Sequence, residues 1–202
     1  MKPKILLIGG GGHSISCVDV IEAGGLYEIA GLIDPNMELQ EICDYPVFHT
    51  EDILIKNPSI ARNALITIGQ IKSPELRIKL FRDITALGYK FPTIISPRSY
   101  ISSRSILGPG TIVMHEALLN ANSVVGKNCI INTKAVLEHG VIVGNHCHIS
   151  TGSVLNGDVA VGEGTFIGSG SVIREGVKIG SDCVIGMGAT IKRNIPNGSM
   201  LI

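Results

Sequence analysis

Of the six histidines in the chain, His139 has the surroundings that base catalysis asks for. It stands in the run Leu137-Glu138-His139-Gly140-Val141-Ile142, with Asn132 before it and His148 after it. Near pH 7 a neutral imidazole can take the proton from an amine as its nitrogen attacks a thioester, so the chemistry open to His139 is acyl transfer. A second constellation is Gly9-Gly10-Gly11-Gly12-His13-Ser14, directly after the apolar run Lys4-Ile5-Leu6-Leu7-Ile8. A strand that passes through glycines into a helix N-terminus presents backbone N–H groups to a phosphate. The dinucleotide pattern G-x-G-x-x-G would need glycine where Ser14 stands, so the loop points to a nucleotide other than NAD. Asp34, at the end of the next apolar run, is placed to accept a hydrogen bond from a ribose or a uracil. The competing reading of the loop is a plain tight turn beside a surface His13.

The elements that must position these residues fall into two kinds. From Ile101 to Pro196 the sequence divides into sixteen consecutive hexads, and every first residue is aliphatic, from Ile101, Leu107 and Val113 to Ile185 and Ile191. Fifth residues are small or β-branched, as at Ser105, Ala117, Cys129 and Cys147, and second residues are often Gly or Asn. A hexad of this kind is one short strand plus a corner, and three hexads close a triangular coil. First and fifth residues then fill the axis, while the second-position glycines are expected to relieve unusual backbone angles. Residues 18 apart stack in one column, separated by roughly 4.8 Å, the inter-strand spacing. His139 takes an outward third position with Gly157 directly above it; Thr151, Ser169 and Met187 share a second column. Asp158 stacks over Gly140 and could lean down to the imidazole, in competition with Glu138.

Residues 1–97 alternate between strand and helix. Strands are expected at 4–8, 29–33, 64–68 and 91–95, and helices at 12–23 and from Ser73-Pro74-Glu75 onward, with Ser73 as cap. Leu76, Leu80, Ile84 and Leu87 would form the inner face of that second helix. The pattern implies a small parallel sheet of Rossmann type, followed by an all-β parallel helix over 98–202.

Composition removes several function classes. Seventeen basic residues balance seventeen acidic ones, so no field exists to hold a nucleic-acid backbone or an anionic membrane. No apolar run is long enough to span a bilayer, and no leader-like h-region opens the sequence, which predicts a cytoplasmic protein. The five cysteines contain no C-x-x-C pair. His146-Cys147-His148 invites a zinc reading, but Cys147 sits at an inward position of its hexad, so the three cannot converge and no metal is expected. His115 and His146 read as polar surface residues.

With these residues set out, a resemblance emerges. Asn132-Thr133, Glu138-His139, Gly144, His148, Gly152 and Gly157, behind a Gly-Gly-His nucleotide loop, resemble the bacterial nucleotide-sugar acetyltransferases. These include the UDP-4-amino-sugar and perosamine N-acetyltransferases and the sialic acid O-acetyltransferases. The resemblance spans nearly the whole chain and implies a left-handed β-helix, acetyl-CoA as co-substrate, a nucleotide-sugar substrate and a homotrimer. It further implies that His139 is the base and that Asn132 places the substrate. His148 and Gly157 would meet the thioester, and Ser169 and Met187 would line the pantetheine path. Gly11, Gly12, His13, Ser14 and Asp34 would hold the nucleotide sugar. Two departures stand out: Gly140 replaces the acidic residue that usually follows the base, and a C-terminal Pro-Ala-Lys turn is missing. O-acetylation of a nonulosonate and a non-catalytic trimeric binding protein are the alternative readings.

Overall fold

The computed structural model describes all 202 residues. The first part contains β1 (Lys4–Ile8), α1 (Gly12–Gly24), β2 (Glu28–Ile33), β3 (Glu41–Ile42), β4 (Tyr45–Phe48), α2 (Asp52–Lys56), β5 (Asn63–Ile66) and α3 (Glu75–Ala86). The sheet order is β3-β4-β2-β1-β5, parallel except for the β3–β4 hairpin. β1 therefore sits between β2 and β5, where the direction of winding reverses, and the Gly9 to His13 loop leaves its carboxyl end. Apolar residues of both faces of the sheet are buried, as the unbroken run at β1 requires.

Three expectations for this part change. Residues 94–95 do not join the sheet: they pair with Ile112–Val113 and form the first rung of the β-helix. On α3 the inner face is Arg77, Leu80, Phe81 and Ile84, while Leu76 and Leu87 are exposed. Ser73 does receive the Glu75 N–H, at 3.2 Å, but the helix starts at Glu75 itself. The hairpin was not anticipated, because Cys43 and Asp44 turn it with positive φ in place of the expected Gly or Asn.

The remainder is a left-handed parallel β-helix of two-residue strands arranged on three faces of six, five and seven strands. Partners lie 18 residues apart, such as Val136 with Val154 and Ile142 with Ala160. First- and fifth-position side chains, among them Leu119, Ile131, Leu137, Cys129, Cys147 and Cys183, form one continuous axial core. The face bearing Ile112, Ile130, His148 and Phe166 is covered by the N-terminal part, and its outward residues are buried. The two other faces are free; they carry Val136 and Ile142 respectively.

Two details of the repeat differ from the sequence reading. Positive φ falls at the fourth position of every hexad except the first and the last, at Asn122, Lys134, Gly140, Asp158 and Gly164, among others. The second-position glycines answer to space instead. A methyl group on Gly126 would lie 2.6 Å from the Asn145 side chain and 2.7 Å from its backbone nitrogen. The repeat also shortens near its end: Ile195 pairs with Ile179, and Met200–Leu201 pairs with Val184–Ile185, both 16 residues apart.

The two glycine classes make different predictions. Gly126→Ala forces coils apart and should lower unfolding stability by about 1–3 kcal/mol. Gly152→Ala, at φ +65° with nothing within 4 Å of the added methyl, should cost about 1 kcal/mol of backbone strain. Denaturant melts of the two variants measure the difference; equal losses would refute the crowding account.

Candidate active site

His139 lies on the corner between the two free faces, after the strand Val136–Leu137 and before Ile142–Val143. Its side chain is exposed. The imidazole folds upward against the bare Cα of Gly157: a Cβ there would meet ring carbon Cε1 at 2.5 Å and Nε2 at 2.6 Å. The coil-to-coil contact is direct, since Asp158 donates its N–H to the His139 carbonyl at 2.9 Å. Next to His139, Asp158 leans down until its Oδ1 occupies the space a side chain on Gly140 would need. No hydrogen bond joins that carboxylate to the imidazole within the chain. Glu138 is engaged elsewhere, accepting from the Asn120 side chain at 2.8 Å.

The second corner, at the other edge of the Val136 face, carries Asn132, Thr133, Thr151, Ser169 and Met187. Its register is set by backbone bonds from Gly170 to Thr151 and from Gly188 to Ser169. Ser150 and Ser169 share a hydroxyl bond of 2.9 Å, and Met187 is 85% exposed. Asn132 accepts from Thr133 N–H and donates to His148 Nε2 at 3.1 Å. His148 is buried in the seam between the two parts of the chain, with Nδ1 donating to the Gln70 carbonyl at 2.7 Å. With both ring nitrogens engaged, the imidazole as placed has no free nitrogen to offer a thioester. It reaches the corner through Asn132. Burial chiefly, and the Arg77 charge in addition, pull its pKa down to about 4.

That seam was not visible in the sequence. Arg77 is fully buried and donates to the carbonyls of Ile66, Ile68 and Asn128 and to the Asn128 side chain. His146 is buried beside Asn128, at 2.9 Å, and packs edge-on against Phe81, so it is no surface residue. His115 is likewise engaged, between Ser96 Oγ at 2.6 Å and Asp19 at 2.7 Å. His13 lies 6.4 Å from His148 between ring centres, and its pKa also falls to about 4, mainly through burial. Three buried polar atoms lack a partner in the chain: His13 Nε2, Gln70 Oε1 and Arg77 Nε.

The nucleotide loop opens α1 with Gly11 as N-cap and no side-chain cap, leaving the first-turn N–H groups available. Nothing lies within 4 Å of where a Cβ would stand on Gly11 or Gly12, so packing inside the chain does not require glycine there. Bare backbone that a ligand approaches closely does. Ser14 is buried and donates to the Gly11 carbonyl, which holds the loop closed. Asp34 accepts from Gly10 N–H at 2.6 Å and from Asn36 N–H at 2.9 Å. Beside it opens a crevice of about 370 Å³ at the carboxyl ends of β1, β2 and β5, the place where open α/β sheets bind ligands. No group of three His, Cys, Asp or Glu residues is arranged to hold a metal ion.

A Rossmann-like sheet set on a hexapeptide β-helix, with an exposed corner histidine, defines a hexapeptide transferase. The family models agree: residues 122–157 and 158–193 match the bacterial transferase hexapeptide (six repeats), and residues 4–84 match the PglD N-terminal domain. The solved acetyltransferase domain of PglB from Neisseria gonorrhoeae is 30% identical, with a TM-score of 0.91 over 98% of this chain and 96% of that one. PerB from Caulobacter crescentus, solved with CoA and GDP-perosamine, is also 30% identical, with a TM-score of 0.89 over 98% of this chain and 92% of that one. No curated protein sequence gives a match. The chain belongs to the bacterial hexapeptide-repeat sugar acetyltransferases.

The seam histidines make stability depend on pH. The folded pKa of His148 lies below its ordinary value of 6.5, at about 4. Its contribution is therefore complete above pH 6.5 and is lost as pH falls from 6.5 toward 4, where the unfolded chain binds the proton and the folded one does not. Unfolding free energy should fall across that window, and His148→Gln should flatten the slope. An unchanged slope in the variant would show that the ring is not held neutral in the folded chain.

Proposed function

We propose that the protein transfers acetyl from acetyl-CoA to the amino group of a nucleotide-linked 4-amino-4,6-dideoxy sugar, with His139 as general base. The observation that carries this reading is the exposed imidazole seated on the bare backbone of Gly157, a pose that leaves the outer side of the ring open to the reacting groups. The amine nitrogen attacks the thioester carbonyl carbon while His139 takes its proton; the C–S bond then breaks, and coenzyme A leaves as the thiol with that proton. No side chain nearby is arranged as a nucleophile, so no acyl-enzyme forms. The nucleotide lies on the Gly11 to Ser14 loop with Asp34 at its ribose. Asn132, held by His148, orients the sugar, and Ser169 and Met187 follow the pantetheine arm. PerB, whose structure contains CoA and GDP-perosamine, supports the pairing of these two substrates.

His139 and the Asn132 corner stand at opposite edges of one face, so a single copy holds only half of each site. A neighbouring copy in a homotrimer supplies the other half. Outward aliphatic residues support such an assembly. Ile106, Val124 and Ile142 stack on one free face, and Tyr100 and Val172 are exposed on the other. Contiguous apolar surface of this kind marks an interface.

Coenzyme A release from acetyl-CoA in the presence of nucleotide-linked amino sugars tests the reading. Wild-type protein should release it only with an amine acceptor. His139→Ala should lower turnover by about two to four orders of magnitude while acetyl-CoA still binds. A loss under tenfold would place the base elsewhere.

Asp158 is the group we assign to orient the base, from its position over Gly140; the two are not bonded in the free chain, and the contact forms when substrate is bound. Asp158→Asn should reduce turnover and lower the kinetic pKa of the base, whereas Glu138→Gln, already bonded to Asn120, should do less. An identical rate and pH profile for Asp158→Asn would remove that assignment.

A further inference from the structure

The crevice beside Asp34 joins apolar walls to a short polar rim. Ile68 and Leu76 supply apolar walls, and Leu76 is 54% exposed on α3. The polar lining consists of Asp34, His49, Thr50 and Glu51. Asp34 is fixed by Gly10 and Asn36, at the position where the acid after the second strand meets a ribose. His49 donates from Nδ1 to the Asp34 carbonyl at 3.3 Å. The Thr50 hydroxyl accepts the Asp52 N–H. Glu51 stands at the N-cap of α2, yet its carboxylate caps nothing. The crevice thus offers a carboxylate with no partner in the chain, set beside apolar walls.

We propose that this crevice selects guanine, with Glu51 accepting the ring N1–H and the exocyclic N2–H together; the inference rests on the nucleotide-sugar reading above. An ionised carboxylate only accepts, and it is best satisfied by two parallel donors. Guanine presents two adjacent N–H donors on one edge. Uracil presents one N–H flanked by two carbonyl oxygens, which a carboxylate repels. Cytosine and adenine each place an unprotonated ring nitrogen beside the amino group. Asp34 then serves the ribose and Glu51 the base, so the loop, the sugar ring and the base are read by three separate segments.

Isothermal titration of the full chain with GDP, UDP, CDP and ADP tests the assignment. GDP should bind at least about tenfold more tightly than the others. Glu51→Gln, at an exposed position where folding is not at stake, should weaken GDP about ten- to hundredfold and leave UDP and CDP unchanged. Preferred binding of UDP or CDP, or a Glu51→Gln variant with wild-type GDP affinity, would overturn the guanine assignment and leave the nucleotide-sugar reading intact. Failure of every nucleoside diphosphate to bind would overturn the nucleotide-sugar reading, and the guanine assignment with it.

Discussion

Everything in the second part of the molecule depends on coils stacking at the spacing of paired strands. Backbone ladders hold residues 18 apart in contact, so a residue's neighbour above is set by arithmetic. The spacing leaves no room for a side chain at the crowded second position and demands left-handed backbone at the fourth. It also explains the pose of His139. An imidazole at a corner lies under whatever occupies the next coil, and only glycine at 157 lets it fold upward. Catalytic geometry and prism stability draw on the same repeat.

The two parts of the chain contribute unequal kinds of order. The prism is a rigid ruler with a core of aliphatic and cysteine side chains, none of them bridged. The N-terminal sheet supplies a loop in which Gly11 and Gly12 have no packing duty, at the open end of β1. The two parts are joined by a polar seam, where Asn132 on the prism touches His148, and His148 touches the carbonyl of Gln70. The Asn132 corner of the prism is thereby tied to the segment that follows β5.

Legibility in the sequence followed periodicity. The hexads, the axial cysteines and the pairing of His139 with Gly157 could all be read, because each is a consequence of the 18-residue spacing. So could the strand–glycine–helix start, which is local. The seam could not: Arg77 and Asn128 are 51 residues apart and no repeat links them. His146 therefore looked like a surface residue of a solenoid and His148 like a contact of the thioester, when both are buried where the N-terminal part covers the prism. The second-position glycines were found but given the wrong cause, since composition does not distinguish a backbone angle from a lack of space. The shortened coil after Ile191 escaped because Ile195 suits a first position as well as a fifth.

Arg77 has a consequence for how such molecules can be recombined. Its guanidinium is buried among carbonyls from both parts of the chain, with no carboxylate to neutralise it. Burial lowers its pKa to about 10, so it stays charged at physiological pH. A buried charge tolerates the loss of its hydrogen-bond partners poorly. The two halves are thus modular in outline and not in chemistry. A foreign nucleotide-binding half grafted onto this prism would leave Asn128 and His146 facing unsuited groups, unless it brought its own arginine to the same point on its helix.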